Sequence, residues 1–336
     1  MFKVTSLIWQ KRNLGLRMTS CLKALTIFVA FLILFVMTLC LSGCEYTTVK
    51  GDSWKKKYDI SNPDLEGAGD SQNAANRSGW YSTMIEDFDG SSLNNEWYPV
   101  ENVLRNEEYW CDKMVTLVDS QVQVSAVKSD NHVCENCSDK SIYFTSGIIT
   151  CRYENGKRIP TFAQAFGYFE AKVKFPASDG MWSAFWLQTT SQGQIGNGGK
   201  DGAEIDIYES SFWNKKDYVG HCIHYDGYGT KHKAGQATHS VGKNLYDGYR
   251  TFGLKWTPEE YVFYVDGIAV WATDFGGICE VPAYIMLTNE ICQKAQYGPY
   301  GQKLGEFTGG TFYIDYVKVY QNVNYLPYIK SAEDFK

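Results

Sequence analysis

Glu204-Ile205-Asp206-Ile207-Tyr208-Glu209 sets three acids among three large apolar side chains within six residues. In a β-strand successive side chains point to opposite faces, so Glu204 and Asp206 share one surface while Ile205 and Ile207 occupy the other. Isoleucines facing a core leave the acids on the opposite surface. Glu209 is five residues beyond Glu204, the wrong parity for that surface. One extra residue in the strand, a β-bulge near Tyr208, brings it round. A single acid on such a strand is ordinary and meets a nearby lysine. Three repel one another and raise each other's pKa, a crowding that proteins tolerate mainly where chemistry uses it.

Outward from this stretch the pattern stays β. Gly196-Asn-Gly-Gly-Lys-Asp-Gly202 leads into it as a flexible loop, and Gly167-Tyr-Phe-Glu-Ala-Lys-Val-Lys-Phe175 alternates strictly. Val115 to Val127, Tyr261 to Val265 and Thr311 to Tyr320 alternate as well. Asp266-Gly267, between Tyr261-Val-Phe-Tyr-Val265 and Ile268-Ala-Val-Trp271, is a hairpin signal. Helical periodicity is hard to find after the leader. Many short strands with frequent turns predict an all-β sandwich or barrel. One domain is expected over residues 80–324, with a short polar tail at 325–336.

The first 43 residues carry Lys3, Lys11, Arg12, Arg17 and Lys23 and no acid, so beyond them 38 Asp and Glu stand against 27 Lys and Arg. So acidic a chain repels nucleic-acid phosphates and suits a neutral substrate. Ala24 to Leu41 is almost wholly apolar and ends in Leu41-Ser42-Gly43-Cys44. A basic start, an apolar run and small residues at its end describe an export signal over 1–43, with either Met1 or Met18 as its start. The Leu-Ser-Gly-Cys ending resembles the bacterial lipoprotein box, in which Cys44 takes lipid. The alternative is an uncleaved anchor, because 18 apolar residues nearly span a bilayer of ~30 Å. Both readings put the protein outside the cytoplasmic membrane, tethered by the Ser-, Asn- and Gly-rich 44–79 segment. Beyond the leader and Cys44 seven cysteines remain, an odd number that leaves at least one thiol free within a monomer. Cys134-Glu-Asn-Cys137 has zinc-ribbon spacing without a second pair, so a loop disulfide is expected there.

Retaining glycosidases need a nucleophilic carboxylate and an acid/base carboxylate ~5–5.5 Å apart, which two Glu on one bulged strand can supply. Here the sequence resembles glycoside hydrolase family 16, whose bulged subgroup carries Glu-x-Asp-x-x-Glu. Ser146-Gly-Ile-Ile-Thr150, Gly167 to Pro176 and Gly180-Met-Trp-Ser-Ala-Phe-Trp-Leu187 look like that family's strands before the catalytic one. Phe252-Gly-Leu-Lys-Trp-Thr-Pro258, Tyr264-Val-Asp-Gly267 and Tyr313-Ile-Asp-Tyr-Val-Lys-Val-Tyr320 look like those after it.

The resemblance implies a two-sheet antiparallel β-jelly-roll sandwich, concanavalin A-like, with a substrate cleft on the concave sheet. It makes Glu204 the nucleophile, Asp206 its helper and Glu209 the acid/base, with no cofactor for catalysis. Some members hold a structural calcium through an aspartate at the position of Asp315. Trp182 matches a tryptophan that contacts sugar, and Trp186, four residues on, shares its face. His224 matches a cleft histidine, with His232 and Tyr225 to Tyr228 shaping the cleft nearby. Asn106 and Glu107, before Tyr109-Trp110, resemble a segment lining the cleft's glycone side. Glu290 is closer to what galactan-cutting members carry, and Ser183 stands where laminarinase-type members have proline. His221-Cys-Ile-His224 is not expected to bind zinc, because His221 and His224 face opposite ways in a strand. The expected function is a monomeric, polysaccharide-cutting endo-β-1,3- or β-1,3-1,4-glucanase. An endo-β-galactosidase and a non-catalytic surface carbohydrate-binding protein are the alternatives.

Overall fold

In the computed structural model the alternation read from Gly167 onward becomes a central strand, Gly167–Lys174, whose Phe169, Ala171 and Val173 point inward and are fully buried. The structure describes residues 45–48, 79–100, 103–105, 108–129, 143–210, 215–291 and 307–336. The leader, Cys44, nearly all of the 44–79 tether, Asn106, Glu107 and the Cys134/Cys137 pair lie outside the described residues. Contacts divide the chain into Met1–Glu45 and Tyr46–Lys336. Of the first unit only Glu45 is described, and the fold below is that of the second.

Gly167–Lys174 pairs antiparallel with Arg250–Trp256 on one side and Gly310–Asn322 on the other. Its sheet continues outward to Tyr261–Val265 and Ile268–Thr273, and in the other direction to Gln121–Lys128. A Cβ on Gly167, at φ +109°, would meet the Tyr320 carbonyl at 2.1 Å, so only glycine lets the strands approach this closely there. The facing sheet runs through Lys233–Ser240, Tyr218–Tyr225, Glu204–Ser210, Met181–Thr189, Ala283–Ile291, Gly147–Ile149 and Tyr98–Pro99. Among the described strands whose register is given, pairing is antiparallel except that Glu108–Trp110 lies parallel to Tyr143–Thr145. Among the described residues there is no α-helix, only short 3-10 turns.

The core lies between the sheets. Phe185, Leu187, Ile205, Ile207, Tyr208 and Ile223 from one meet Phe169, Phe252, Leu254, Val317 and Val319 from the other. Each such side chain contributes about 1.5–3 kcal/mol on burial. This is an all-β sandwich, one of the two architectures that the alternation allowed and, with its two sheets, the one that the resemblance implied; two details add to it. Val115 to Val127 is a hairpin, not one strand: Asp119 and Ser120 take positive φ of 54° and 55° and turn Val115–Val118 back onto Gln121–Lys128. Residues 325–336, expected as a short polar tail, also place apolar side chains on the core. Tyr325, Ile329, Ala332 and Phe335 pack against the main core through two 3-10 turns.

Candidate active site

The strand Glu204–Ser210 carries the extra residue that its parity requires. Against Met181–Thr189 its register is Glu204 with Gln188, Ile205 with Leu187 and Asp206 with Trp186, then Tyr208 with Phe185 and Glu209 with Ala184. Ile207 is skipped. On the other side Asp206 faces Cys222 and Glu209 faces Gly220, so three residues again span the distance of two. The bulge is driven by burial. Ile207 and Tyr208 are consecutive and both fully enclosed, and the Tyr208 ring stacks on Phe175 at 4.3 Å and packs on Phe252 at 4.0 Å. Two neighbours can face one core only if the strand gains a residue there. The Ile207 carbonyl is not orphaned, because His221 Nδ1 donates to it at 2.7 Å. Burial, with His239 alongside, holds the His221 pKa well below its usual value, so it serves as a neutral donor.

Glu204, Asp206 and Glu209 consequently line one cavity of about 920 Å³, with Trp182, Ala184, Trp186, Gln188, Cys222, His224, Tyr228 and Glu290 around them. Glu204 Oε2 accepts from Gln188 Nε2 at 2.7 Å and from the Tyr228 hydroxyl. Gln188 is itself fixed, its Oε1 accepting from Tyr284 at 2.6 Å and from Arg158. Oε2 thus has two donors. Burial, then the neighbouring Asp206 charge, push the Glu204 pKa up to about 7, against the lowering pull of His224, Tyr228 and Arg105. Tyr228 stays a neutral donor, its own pKa raised by burial and by Glu204.

Asp206 Oδ2 lies 3.2 Å from His224 Nε2, and His224 Nδ1 lies 2.9 Å from His232 Nε2. Burial opposes charge on His224, but Cys222 and Asp206 outweigh it and its pKa stands well above the usual histidine value. The His232 pKa is lowered to about 4 by burial and by the His224 charge. An imidazolium at His224 thus bridges the Asp206 carboxylate and a neutral His232. Glu209 Oε1 accepts from Trp182 Nε1 at 2.9 Å.

Glu290 occupies the cavity wall opposite Trp182, its Cα partner. Its Oε2 pairs with Arg105 Nε at 3.0 Å, and burial raises its pKa despite that arginine. Arg105 also lies over the Trp110 ring at 5.8 Å. Ser183, on the core side of the same strand, is hydrogen-bonded to Asn289 Oδ1 at 2.7 Å.

The structure brings together Glu204, Asp206, Glu209, Trp182, Trp186, His224 and Glu290, while Asn106 and Glu107 lie outside the described residues. Trp186 reaches the cavity as a nearly buried wall, its Nε1 donating to Thr288 Oγ1 at 3.1 Å. The surroundings of Asp315 do not fit a calcium ion, which takes 6–8 oxygen ligands. Its Oδ2 already meets the Lys172 ammonium at 2.7 Å, at a half-exposed position. Cys111, Cys151, Cys222 and Cys279 are buried free thiols. Sequence reasoning missed Gln188, Tyr284 and Arg105. The first two follow from the same two-residue period as Trp182 and Trp186 once the strands are paired. Arg105 sits in a three-residue strand without a readable period.

Residues 118–276 match the profile described as glycosyl hydrolases family 16. The chain is 29% identical over 177 residues to the endo-1,3-1,4-beta-glycanase ExsH of Rhizobium meliloti (strain 1021), covering 53% of this chain and 33% of that protein. It is 26% identical over 202 residues to a keratan-sulfate endo-1,4-beta-galactosidase of Sphingobacterium multivorum, covering 58% of this chain and 44% of that protein. The chain thus spans a third to under a half of the length of these relatives. Among solved structures, the catalytic domain of an endo-1,3-beta-glucanase (laminarinase) from Thermotoga petrophila RKU-1 superposes with a TM-score of 0.56 at 19% identity, covering 73% of this chain and 99% of that one.

Proposed function

Because this chain belongs to glycoside hydrolase family 16, we propose that it cuts internal β-glycosidic bonds of a polysaccharide with retention of configuration. The observation that carries this reading is the bulge, which turns three acids of one strand into a single cavity. Glu204 attacks the anomeric carbon while Glu209 protonates the departing glycosidic oxygen, leaving the sugar esterified to Glu204. Glu209, now a carboxylate, takes a proton from water as it attacks the same carbon, and the bond to Glu204 breaks. Asp206 raises the Glu204 pKa and so strengthens it as a nucleophile, while His224, Tyr228 and Arg105 pull the other way and favour its release as a carboxylate.

The substrate read here is a β-1,3- or mixed β-1,3-1,4-glucan, in line with the activity named for the Rhizobium relative. A second reading, an endo-β-galactosidase, is in line with the activity named for the Sphingobacterium relative and with the resemblance of the cavity-lining Glu290 to galactan-cutting members. Digestion of laminarin, mixed-linkage glucan, agarose, carrageenan and keratan-type glycans, with product sizing and NMR of the newly formed anomer, distinguishes them. Oligosaccharides released from a glucan as the β-anomer are expected. Folded protein that binds a glycan without cutting it is a carbohydrate-binding protein, and an initial α-anomer rules out retention.

The Glu204 environment also fixes a pH dependence. The nucleophile must be ionised, so kcat/KM is expected to fall as pH drops through about 7. Tyr228 donates to the charged form and thereby lowers that pKa. Tyr228→Phe is expected to move the acid limb to higher pH and to reduce kcat about tenfold, the value of one charge-assisted hydrogen bond. A pH–rate profile unmoved by this substitution would show that the hydroxyl does not act on Glu204.

A further inference from the structure

The His221-Cys222-Ile223-His224 motif retains a feature that the glycosidase chemistry does not use. Cys222 and His224 are two apart on a regular strand, so they share the cavity face, and Cys222 is the Cα partner of Asp206. A carboxylate oxygen of Asp206, the Cys222 sulfur and a ring nitrogen of His224 lie within 4.8 Å of one another. All three residues line the cavity, so an ion reaches them from solvent. A second observation points the same way. Asp206 Oδ2 is buried and, beyond its ionic contact with His224, has no hydrogen-bond partner among the described residues.

We propose that Asp206, Cys222 and His224 form a binding site for one borderline-soft divalent cation of the zinc or cadmium type, and that its occupancy switches the cavity's chemistry off. A thiolate, an imidazole and a carboxylate suit zinc in tetrahedral coordination, with the fourth position open to the cavity. Such an ion holds its ligand atoms roughly 3.3–3.8 Å apart, given bonds of ~2.0–2.3 Å; Asp206 Oδ2 and His224 Nε2 already stand 3.2 Å apart, so the approach needed, at most about 1 Å, falls to the Cys222 sulfur. Hard cations are disfavoured, because calcium and magnesium take oxygen ligands almost exclusively. On binding, the Cys222 thiol and the His224 imidazolium each release a proton to solvent, and bonds form from the metal to sulfur, nitrogen and oxygen. The ion then occupies the carboxylate and imidazole that flank Glu204, whose Oε1 is 4.0 Å from His224 Nε2. His221 takes no part, since it points into the core against Phe263 at 4.8 Å.

The test is titration of the full chain with cobalt(II) and with zinc(II), which needs no knowledge of the glycan and stands apart from the glycosidase reading. Expected are one cobalt(II) per chain lost on Cys222→Ser, a sulfur-to-cobalt charge-transfer band, and at least about tenfold weaker zinc binding in that variant, as loss of a ligating group produces. Zinc is also expected to inhibit any glycan cleavage by the unaltered chain and to spare Cys222→Ser relative to its own metal-free rate. Cobalt bound without the charge-transfer band overturns the proposal from the unaltered chain alone. So does a band that survives Cys222→Ser, which assigns the ion to other thiols, or the absence of binding to the unaltered chain.

Discussion

Glu204→Gln is expected to abolish turnover, by about 10⁴-fold or more in kcat, and to raise the melting temperature at pH 8. The loss follows from removing the group that forms the covalent bond to sugar. The gain follows from the same burial that makes Glu204 useful. Its pKa rises from 4.5 to about 7, chiefly through burial and then through Asp206. The folded protein therefore holds this proton more tightly than the unfolded chain does. That stabilisation is full below pH ~4.5 and is lost as pH rises through about 7, so at pH 8 the ionised side chain costs about 3 kcal/mol. Glutamine carries no charge and still offers an oxygen to Gln188 and Tyr228. A gain of roughly 5–10 °C at pH 8, and little at pH 5, is expected for a domain of this size. Scanning calorimetry at the two pH values, beside an assay on the cleaved glycan, reads both effects. An equal gain at both pH values would remove charge burial as the cause, and undiminished turnover would remove Glu204 as nucleophile.

That coupling of strain and use also explains what the chain disclosed before folding. The need for a bulge is legible, because Glu209 has the wrong parity for the surface holding Glu204 and Asp206. Which residue is extra is not, since Ile207 and Tyr208 are equally apolar. The choice is made by Phe175 and Phe252, which lie outside the strand and hold the Tyr208 ring. His221 and His224 separate correctly by parity alone. Gln188, a donor to Glu204, and Tyr284, which holds Gln188, were hidden for a different reason. Gln188 and Tyr284 meet only because Met181–Thr189 pairs with Ala283–Ile291, a contact across about a hundred residues that no local period encodes. Tyr228 reaches Glu204 from a turn in which Asp226 and Gly227 take positive φ. The hairpin at Asp119-Ser120 went unread because the turn has no glycine, and the packed C-terminal segment because it has no strand alternation.

Glu209→Ala is expected to slow cleavage of the natural polysaccharide by about 10²–10⁴-fold, the usual contribution of general acid–base catalysis. Its pattern of rescue should separate its role from that of Glu204. The Trp182 indole donates to Glu209 Oε1 and holds the carboxyl in the cavity. Ala184, the Cα partner of Glu209, leaves room above the acid for the departing sugar. An aryl glycoside with an acidic phenol leaves without protonation, so formation of the glycosyl ester should persist in Glu209→Ala. Its hydrolysis should stall for want of a base to take the proton from water. Azide needs no base, so adding it should restore turnover and give a β-glycosyl azide. In Glu204→Ala, azide must enter from the vacated nucleophile's side and should give the α-product. The two variants thus differ in the sign of the product's configuration as well as in rate, and NMR of the isolated azides reads it. An α-azide from Glu209→Ala would exchange the two roles, because only the residue on the face opposite the leaving group can be replaced with inversion.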